Sequence, residues 1–211
     1  MTDEFACVHV VDDDPDVREA VSFLLESEGL ASRSYPDATS LLETLTPEHA
    51  GCLVLDVRLP DLDGITLQNR LLERGIEMPR VFITGHGDIP MAVRAVENGA
   101  LDFIEKPFDD EQLLDAIQRG LENDAHHREA LARRAEAEKK LAELTPRERE
   151  VLDGLVDGKP SKIIAYELGV SVRTVEIHRG NIMDKTGARN ASQVVRLALQ
   201  CAPYRDRLLD D

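Results

Sequence analysis

The sequence predicts an α/β protein followed by a smaller all-α module: a (βα)5 doubly wound parallel sheet, a helical linker and a four-helix domain built around a helix-turn-helix. Three observations carry this reading. Short apolar runs alternate with amphipathic helical segments over residues 1–122. Residues 123–143 hold neither Gly nor Pro and are rich in Ala, Glu, Lys and Arg. From Leu144 the strand signal stops and capped helical segments take over. The expected division is residues 1–122, a linker at 123–143, a helical domain at 144–202 and a tail at 203–211.

Taken in order, the strand-like runs fall at residues 7–11, 52–55, 80–84 and 101–104, with a weaker one at 31–34. Between them, Val17, Val21, Leu24 and Leu25 share one helical face; so do Leu67, Leu71 and Leu72, and later Leu113, Leu114, Ile117 and Leu121. Five strands alternating with five helices give a parallel sheet covered on both faces. The linker continues the helix that starts near Asp110. A heptad walk from Ile117 meets Asp124 and Arg128, so the segment reads as a spacer rather than a dimerising coil. Thr145-Pro146-Arg147-Glu148 is a capping box with Pro at the first helical position. Ser161 and Ser171 are expected N-caps of the next two helices, Gly169 marks the tight turn between them, and a last helix runs over about residues 192–200 with Pro203 beyond.

Charge divides the chain in the same way. The net charge of −16 is −17 over residues 1–122, zero over 123–143 and +2 over 144–202. An acidic front half followed by a mildly basic module hints at a nucleic-acid-binding back half. No apolar stretch reaches the roughly 20 residues of a membrane span, and the N-terminus has no basic segment ahead of its apolar run. Cys7, Cys52 and Cys201 are scattered, and the first two lie in strand-like runs, so they read as small core hydrophobes. A cytoplasmic protein without membrane contact is expected.

Ligands of open parallel sheets bind outside the carboxyl ends of the strands. There the sequence places Asp12, Asp13 and Asp14 after the first strand, Asp56 at the end of the third, Thr84 at the end of the fourth and Lys106 after the fifth. Crowded carboxylates repel one another unless a cation joins them, and hard oxygen donors at an open site suit Mg²⁺. A helix cap before Pro15 would account for one of these acids. A nucleotide or flavin site is disfavoured, because three carboxylates would repel a phosphate and no GxxxxGK[ST] or GxGxxG occurs. A carboxylate can also attack phosphorus and form an aspartyl phosphate.

The segments VVDDD, LDVRLPDLDG, ITGHGD and EKPF, in this order and spacing, resemble a response-regulator receiver over the whole front half. The resemblance implies that Asp56 accepts a phosphoryl group, and that Asp12, Asp13, Asp56 and the backbone carbonyl of Arg58 hold Mg²⁺. It also implies that Thr84 bonds the phosphoryl oxygen and Lys106 pairs with it. Phe103 takes the position of an aromatic switch; by its residue type alone it reads equally as a core aromatic.

The stretch from LTPREREVL to RLALQ is similar to the LuxR-type helix-turn-helix of the FixJ/NarL subgroup, and within it to FixJ-like regulators. The resemblance implies a recognition helix over about residues 172–186 that enters the major groove of double-stranded DNA. Val172, Val175, Ile182 and Met183 are expected to face the core. Ser171, Arg173, Thr174, Glu176, His178, Arg179, Asn181 and Lys185 are the candidate DNA contacts, with Ser171, Arg173 and Lys185 suited to phosphates and His178 placed near the core edge. The whole implies a two-component transcriptional regulator, phosphorylated by a partner histidine kinase, self-associating on phosphorylation and working with RNA polymerase. It would not be an enzyme beyond its own phosphoryl transfer and slow autodephosphorylation. A phosphatase of the aspartyl-nucleophile type would need an acid where Arg58 stands. A regulator with a degenerate receiver would lack pocket residues that are all present here.

Overall fold

The computed structural model describes residues 6–85 and 99–205. Strands β1 (Cys7–Val11), β2 (Ser32–Tyr35), β3 (Gly51–Asp56), β4 (Arg80–Thr84) and β5 (Asp102–Glu105) form one sheet in the order β2-β1-β3-β4-β5, parallel at every pairing. Helices α1 (Pro15–Ser27), α2 (Ala38–Thr44), α3 (Gly64–Glu73) and α4 (Asp110–Ala142) follow β1, β2, β3 and β5. The helix expected between β4 and β5, and the end of the ITGHGD segment, lie outside the described residues.

Alternation along each strand builds two apolar layers. Val8, Val10, Cys52, Val54, Val81 and Ile83 pack with Val21 and Leu25 of α1 and Leu113 and Ile117 of α4. Val11, Leu53, Leu55 and Phe82 pack with Leu41 of α2 and Leu67 and Leu71 of α3. This is the doubly wound arrangement that the near-continuous apolar strands predicted. Leu72, expected on the buried face of α3, is instead exposed, because its neighbour Leu71 takes the inward position. All three cysteines are free; Cys52 and Cys201 are buried and Cys7 half-buried.

Among the described residues, four glycines stand where a Cβ would come within 3.0 Å of a neighbour, and two of them position helices on the sheet. A Cβ on Gly64, the first residue of α3, would meet the backbone oxygen of Asp56 at 2.7 Å, and one on Gly120 would meet Cys52 Sγ at 2.5 Å. The first lets α3 start against the end of β3; the second seats α4 on the sheet. Further along α4, Asp124 is buried and accepts the Gly51 N–H at 2.8 Å, and His127 lies 3.1 Å from Glu77.

The chain divides into two compact units, Met1–His127 and Arg128–Asp211. The second holds the end of α4, then α5 (Pro146–Val156), α6 (Ser161–Leu168), α7 (Val172–Thr186), α8 (Ala191–Ala198) and the single turn α9 (Ala202–Arg205). Its core joins Ala137, Leu141 and Leu144 to Val151, Leu152, Ile164, Val175, Ile182, Val194 and Ala198. The four expected helices are present, and the turn containing Pro203 is an addition to them. The capping box forms as read: Thr145 accepts from the Glu148 N–H, and Glu148 accepts from the Thr145 N–H. Ser171 caps α7, but Ser161 does not cap α6; Pro160 is the cap residue and Ser161 is the first helical position. Gly169, at φ +66°, closes α6 in the left-handed region and makes the turn into α7.

Candidate functional site

The pocket at the carboxyl end of the sheet is built from loop residues fixed by backbone bonds. Asp12 Oδ1 accepts the Asp14 N–H at 3.0 Å, and Asp14 in turn caps α1. Arg18 Nη1 donates to the Asp12 carbonyl at 2.7 Å. Asp56 Oδ1 accepts the Arg58 N–H at 2.8 Å. The loop after β3 is tied down by Asp61, which accepts the N–H groups of Ala38 and Thr39 at 3.2 and 2.9 Å and so holds that loop to the start of α2.

Lys106 closes the pocket. Its Nζ donates to Asp12 Oδ2 and to Asp56 Oδ2, both at 2.6 Å. Asp12 and Asp56 are buried and Asp13 is exposed, and the three carboxylates bring one oxygen each within 4.8 Å of the others. Burial pulls the Lys106 ammonium down, but its bonds to the two carboxylates outweigh that and hold it above the usual lysine range. The pocket is therefore a fixed cation flanked by two carboxylates, with a third at its mouth. Three hard oxygen donors converging at an open edge match what a hydrated divalent cation takes.

Thr84 ends β4 and is buried; its hydroxyl donates to the neighbouring Gly85 carbonyl at 3.3 Å rather than to Asp56. Phe103 pairs with Phe82 in the β4–β5 register and packs, half-buried, against the α2–α3 side of the core. The structure thus brings Asp12, Asp13, Asp56 and Lys106 together, with Arg58 bonded to Asp56 through its backbone, and leaves Thr84 and Phe103 on the adjoining strands.

On α7 the residues fall into three bands. Val175, Ile182 and Thr186 are buried, with Met183 half-buried beside them. Val172 departs from the expectation: at the first turn it is 45% exposed. The outward band holds Arg173 and, one turn on, Ile177, which is 55% exposed. Glu176 and Asn181 are exposed on its flanks and Ser171 is exposed at the cap, while Thr174 is half-buried. Ile177 was missed by reading the helix for polar residues alone; the signal was an apolar residue out of phase with the buried stripe.

Among the candidate contacts, Lys185 and Arg179 are tied to neighbouring helices of the domain, and His178 lies toward its core. Lys185 Nζ donates to Glu148 Oε2 at 2.7 Å and to the Glu143 carbonyl at 3.2 Å, so its charge serves the first turn of α5 and not an outward face. His178 is half-buried with Nδ1 enclosed and unbonded among the described residues, on the core side of α7. Arg179 donates through Nη1 to Ser161 Oγ at 2.5 Å and lies 3.3 Å from Glu176 Oε1.

No described helix is long and apolar enough to cross a membrane. Residues 8–118 match the response regulator receiver domain family, and residues 142–198 match the bacterial regulatory proteins of the luxR family. The chain is 46% identical to the transcriptional regulatory protein FixJ of Azorhizobium caulinodans over 91% of each chain. It is 42% identical to FixJ of Rhizobium meliloti, over 91% of this chain and 94% of that one. Among solved structures it resembles the response regulator StyR, with a TM-score of 0.82 at 44% identity over 92% of this chain and 98% of that one. Full-length FixJ of B. japonicum gives a TM-score of 0.58 at 40% identity, over 92% and 96%. The chain therefore belongs to the two-component response regulators and is a FixJ-like transcriptional regulator, carrying a receiver domain and a LuxR-type DNA-binding domain.

Proposed function

We propose that Asp56 accepts a phosphoryl group from a partner histidine kinase, and that this controls sequence-specific binding of double-stranded DNA through α7. The observation that carries the first half is the Lys106 ammonium held 2.6 Å from both Asp12 and Asp56 in a pocket open at its edge. One carboxylate oxygen of Asp56 forms the new P–O bond as the bond between phosphorus and the donor breaks. Lys106 stands beside that oxygen and neutralises charge on the transferring group. Asp12, Asp13, Asp56 and the carbonyl of Arg58 would hold Mg²⁺, which supplies further neutralisation of the phosphoryl oxygens. Thr84 exchanges its weak bond to Gly85 for one to a phosphoryl oxygen, and Phe103 repacks beside it, shifting a two-state balance of this edge of the sheet.

The DNA half rests on the family match and on the outward band of α7. Arg173, Glu176, Ile177, Arg179 and Asn181 offer donors, an acceptor and an apolar surface for base edges and the thymine methyl, and Ser171, Arg173 and Thr174 stand at the helix start where phosphates lie. Phosphorylation promotes self-association so that two helices engage a two-fold site, and the bound protein acts on RNA polymerase. The reaction ends with its own aspartyl phosphate and slow autodephosphorylation; Arg58 occupies the position where a phosphatase would need an acid. DNA and a kinase's phosphoryl donor meet in the cytoplasm, and the proposed reaction belongs there.

The test is labelling by a radioactive small acyl phosphate. Wild type takes up label in the presence of Mg²⁺ and loses it in excess chelator, while Asp56→Asn, near-isosteric but unable to form an acyl phosphate, stays unlabelled with an unchanged circular dichroism spectrum. Label on Asp56→Asn at the wild-type level, or labelling indifferent to chelator, overturns the assignment.

A further inference from the structure

The Ser161 hydroxyl makes no cap for α6 and crosses to α7 instead. Ser161 Oγ donates to Glu176 Oε1 at 2.6 Å while accepting from Arg179 Nη1 at 2.5 Å, and Glu176 and Arg179 also meet directly at 3.3 Å. A serine hydroxyl has one proton to give and lone pairs to receive with. Here both are used at once, so a carboxylate and a guanidinium of α7 are joined through a neutral group on the preceding helix.

An arginine on a DNA-reading helix has two outlets, a guanine edge or the nearest phosphate. A carboxylate has fewer: phosphates repel it, as do guanine O6 and N7, and its base partner is the cytosine amino group. Residues three apart on a helix are separated by about 4.5 Å along its axis, comparable with the roughly 3.4 Å rise between base pairs. A pinned Glu176–Arg179 pair therefore spans two neighbouring base pairs.

We propose that Ser161 is a positioning residue for base reading: it holds Glu176 and Arg179 as one unit that accepts from a cytosine and donates to a neighbouring guanine, and keeps Arg179 from the phosphates. The inference rests on α7 being the DNA-reading helix. The triangle uses one nitrogen of Arg179, whose guanidinium carries five N–H donors, so the remainder of the fork serves the base. Without the hydroxyl, the i,i+3 pair is an exposed ion pair of the kind that holds geometry poorly.

The full-length protein, with and without an acyl phosphate, is made to select from a random duplex library, alongside Ser161→Ala and Ser161→Thr. Wild type selects a motif with a cytosine and a guanine at neighbouring positions of each half-site. Ser161→Ala loses about tenfold in preference at those two positions alone. It binds duplexes lacking the motif at least as well as wild type, and its circular dichroism spectrum shows the same helix content. Ser161→Thr, which keeps the hydroxyl, keeps the wild-type preference. A Ser161→Ala profile equal to wild type, or one weakened evenly at all positions, overturns the role of Ser161 and leaves α7 as the reader. A wild-type protein that selects no motif removes the reading of α7, and the role of Ser161 with it.

Discussion

At the scale of single residues, the receiver core holds an imidazole that resists charging where it sits. His9, on β1, is 2% exposed; Nδ1 is 2.9 Å from the Tyr35 hydroxyl and Nε2 is buried without a partner among the described residues. Burial first, then the neighbouring His49 and Arg33, lowers its pKa to about 4. Because the folded value lies below the unfolded one, neutral His9 costs nothing above about pH 6.5, and stability is lost as pH falls from there toward 4. Between pH 7 and pH 5 the receiver should lose about 2 kcal/mol through this residue alone. Urea unfolding of wild type and His9→Gln at both pH values checks it; equal losses in the two proteins would dismiss the imidazole as the source. Ile177 gives a second residue-scale expectation. Exposed on α7, it contributes nothing to the core, so Ile177→Ala should leave the melting temperature unchanged. The same change should weaken binding to the selected operator by about 1 kcal/mol, the worth of the apolar area removed, in a fluorescence-anisotropy titration. Loss of stability without loss of binding would place Ile177 in the fold and not at the DNA.

At the scale of elements, α5 shows which features a sequence displays and which it conceals. Thr145 and Glu148 are three residues apart, and the capping box they form was plain from that spacing. Lys185 lies 37 residues further on, and only the packing of α7 against α5 brings its ammonium 2.7 Å from Glu148. The same limit explains Ser161, whose hydroxyl bonds Glu176 and Arg179, 15 and 18 residues further on, instead of capping α6. It explains Gly64 and Gly120 too, whose neighbours Asp56 and Cys52 are distant in sequence. Strand positions and the acids at their ends were legible because each rests on a short local pattern. The pairing of Lys106 with Asp12 as well as Asp56 was not, since it spans 94 residues. For Glu148, burial pushes its carboxyl up, but Lys185 and the Thr145 groups outweigh that and hold it below the usual range. A depressed folded pKa means stability that is present at neutral pH and lost as pH falls through the carboxylate range. Lys185→Ala should therefore destabilise the DNA-binding domain by ~1–2 kcal/mol at pH 7, a charged hydrogen bond discounted for a lysine that is one-third exposed. The difference from wild type should shrink below about pH 4. Thermal melts at pH 7 and pH 3.5 measure both, and a salt-dependent loss of DNA affinity at unchanged stability would return Lys185 to the phosphate contacts.

At the scale of the whole molecule, charge and covalent linkage set what phosphorylation has to overcome. The unit Met1–His127 carries a net −18 and the unit Arg128–Asp211 a net +2. DNA is a dense line of negative charge, so a receiver tethered to the DNA-binding unit is repelled wherever that unit binds. Two routes can reverse this. Removing the receiver removes the repulsion, and joining two DNA-binding units on one two-fold site raises effective concentration, with avidity gains of ~10²–10⁴. The two differ in their response to salt. Repulsion by exposed charges is screened over a Debye length of about 10 Å at 0.1 M and about 3 Å at 1 M, whereas avidity comes from linkage and survives screening. The fragment must start before Ala137, because Ala137 and Leu141 are part of the core of the second unit. A fragment of residues 128–211 should therefore bind operator DNA more tightly than the unphosphorylated full chain at low salt, with the advantage narrowing as salt is raised. The gain on treating the full chain with an acyl phosphate should persist across the same range. Binding titrations of the three species at 50, 150 and 400 mM salt separate the contributions. A fragment advantage that does not change with salt would mean the receiver blocks the DNA-binding unit by contact and not by charge. A phosphorylation gain that vanishes with salt would mean that assembly on the two-fold site contributes nothing.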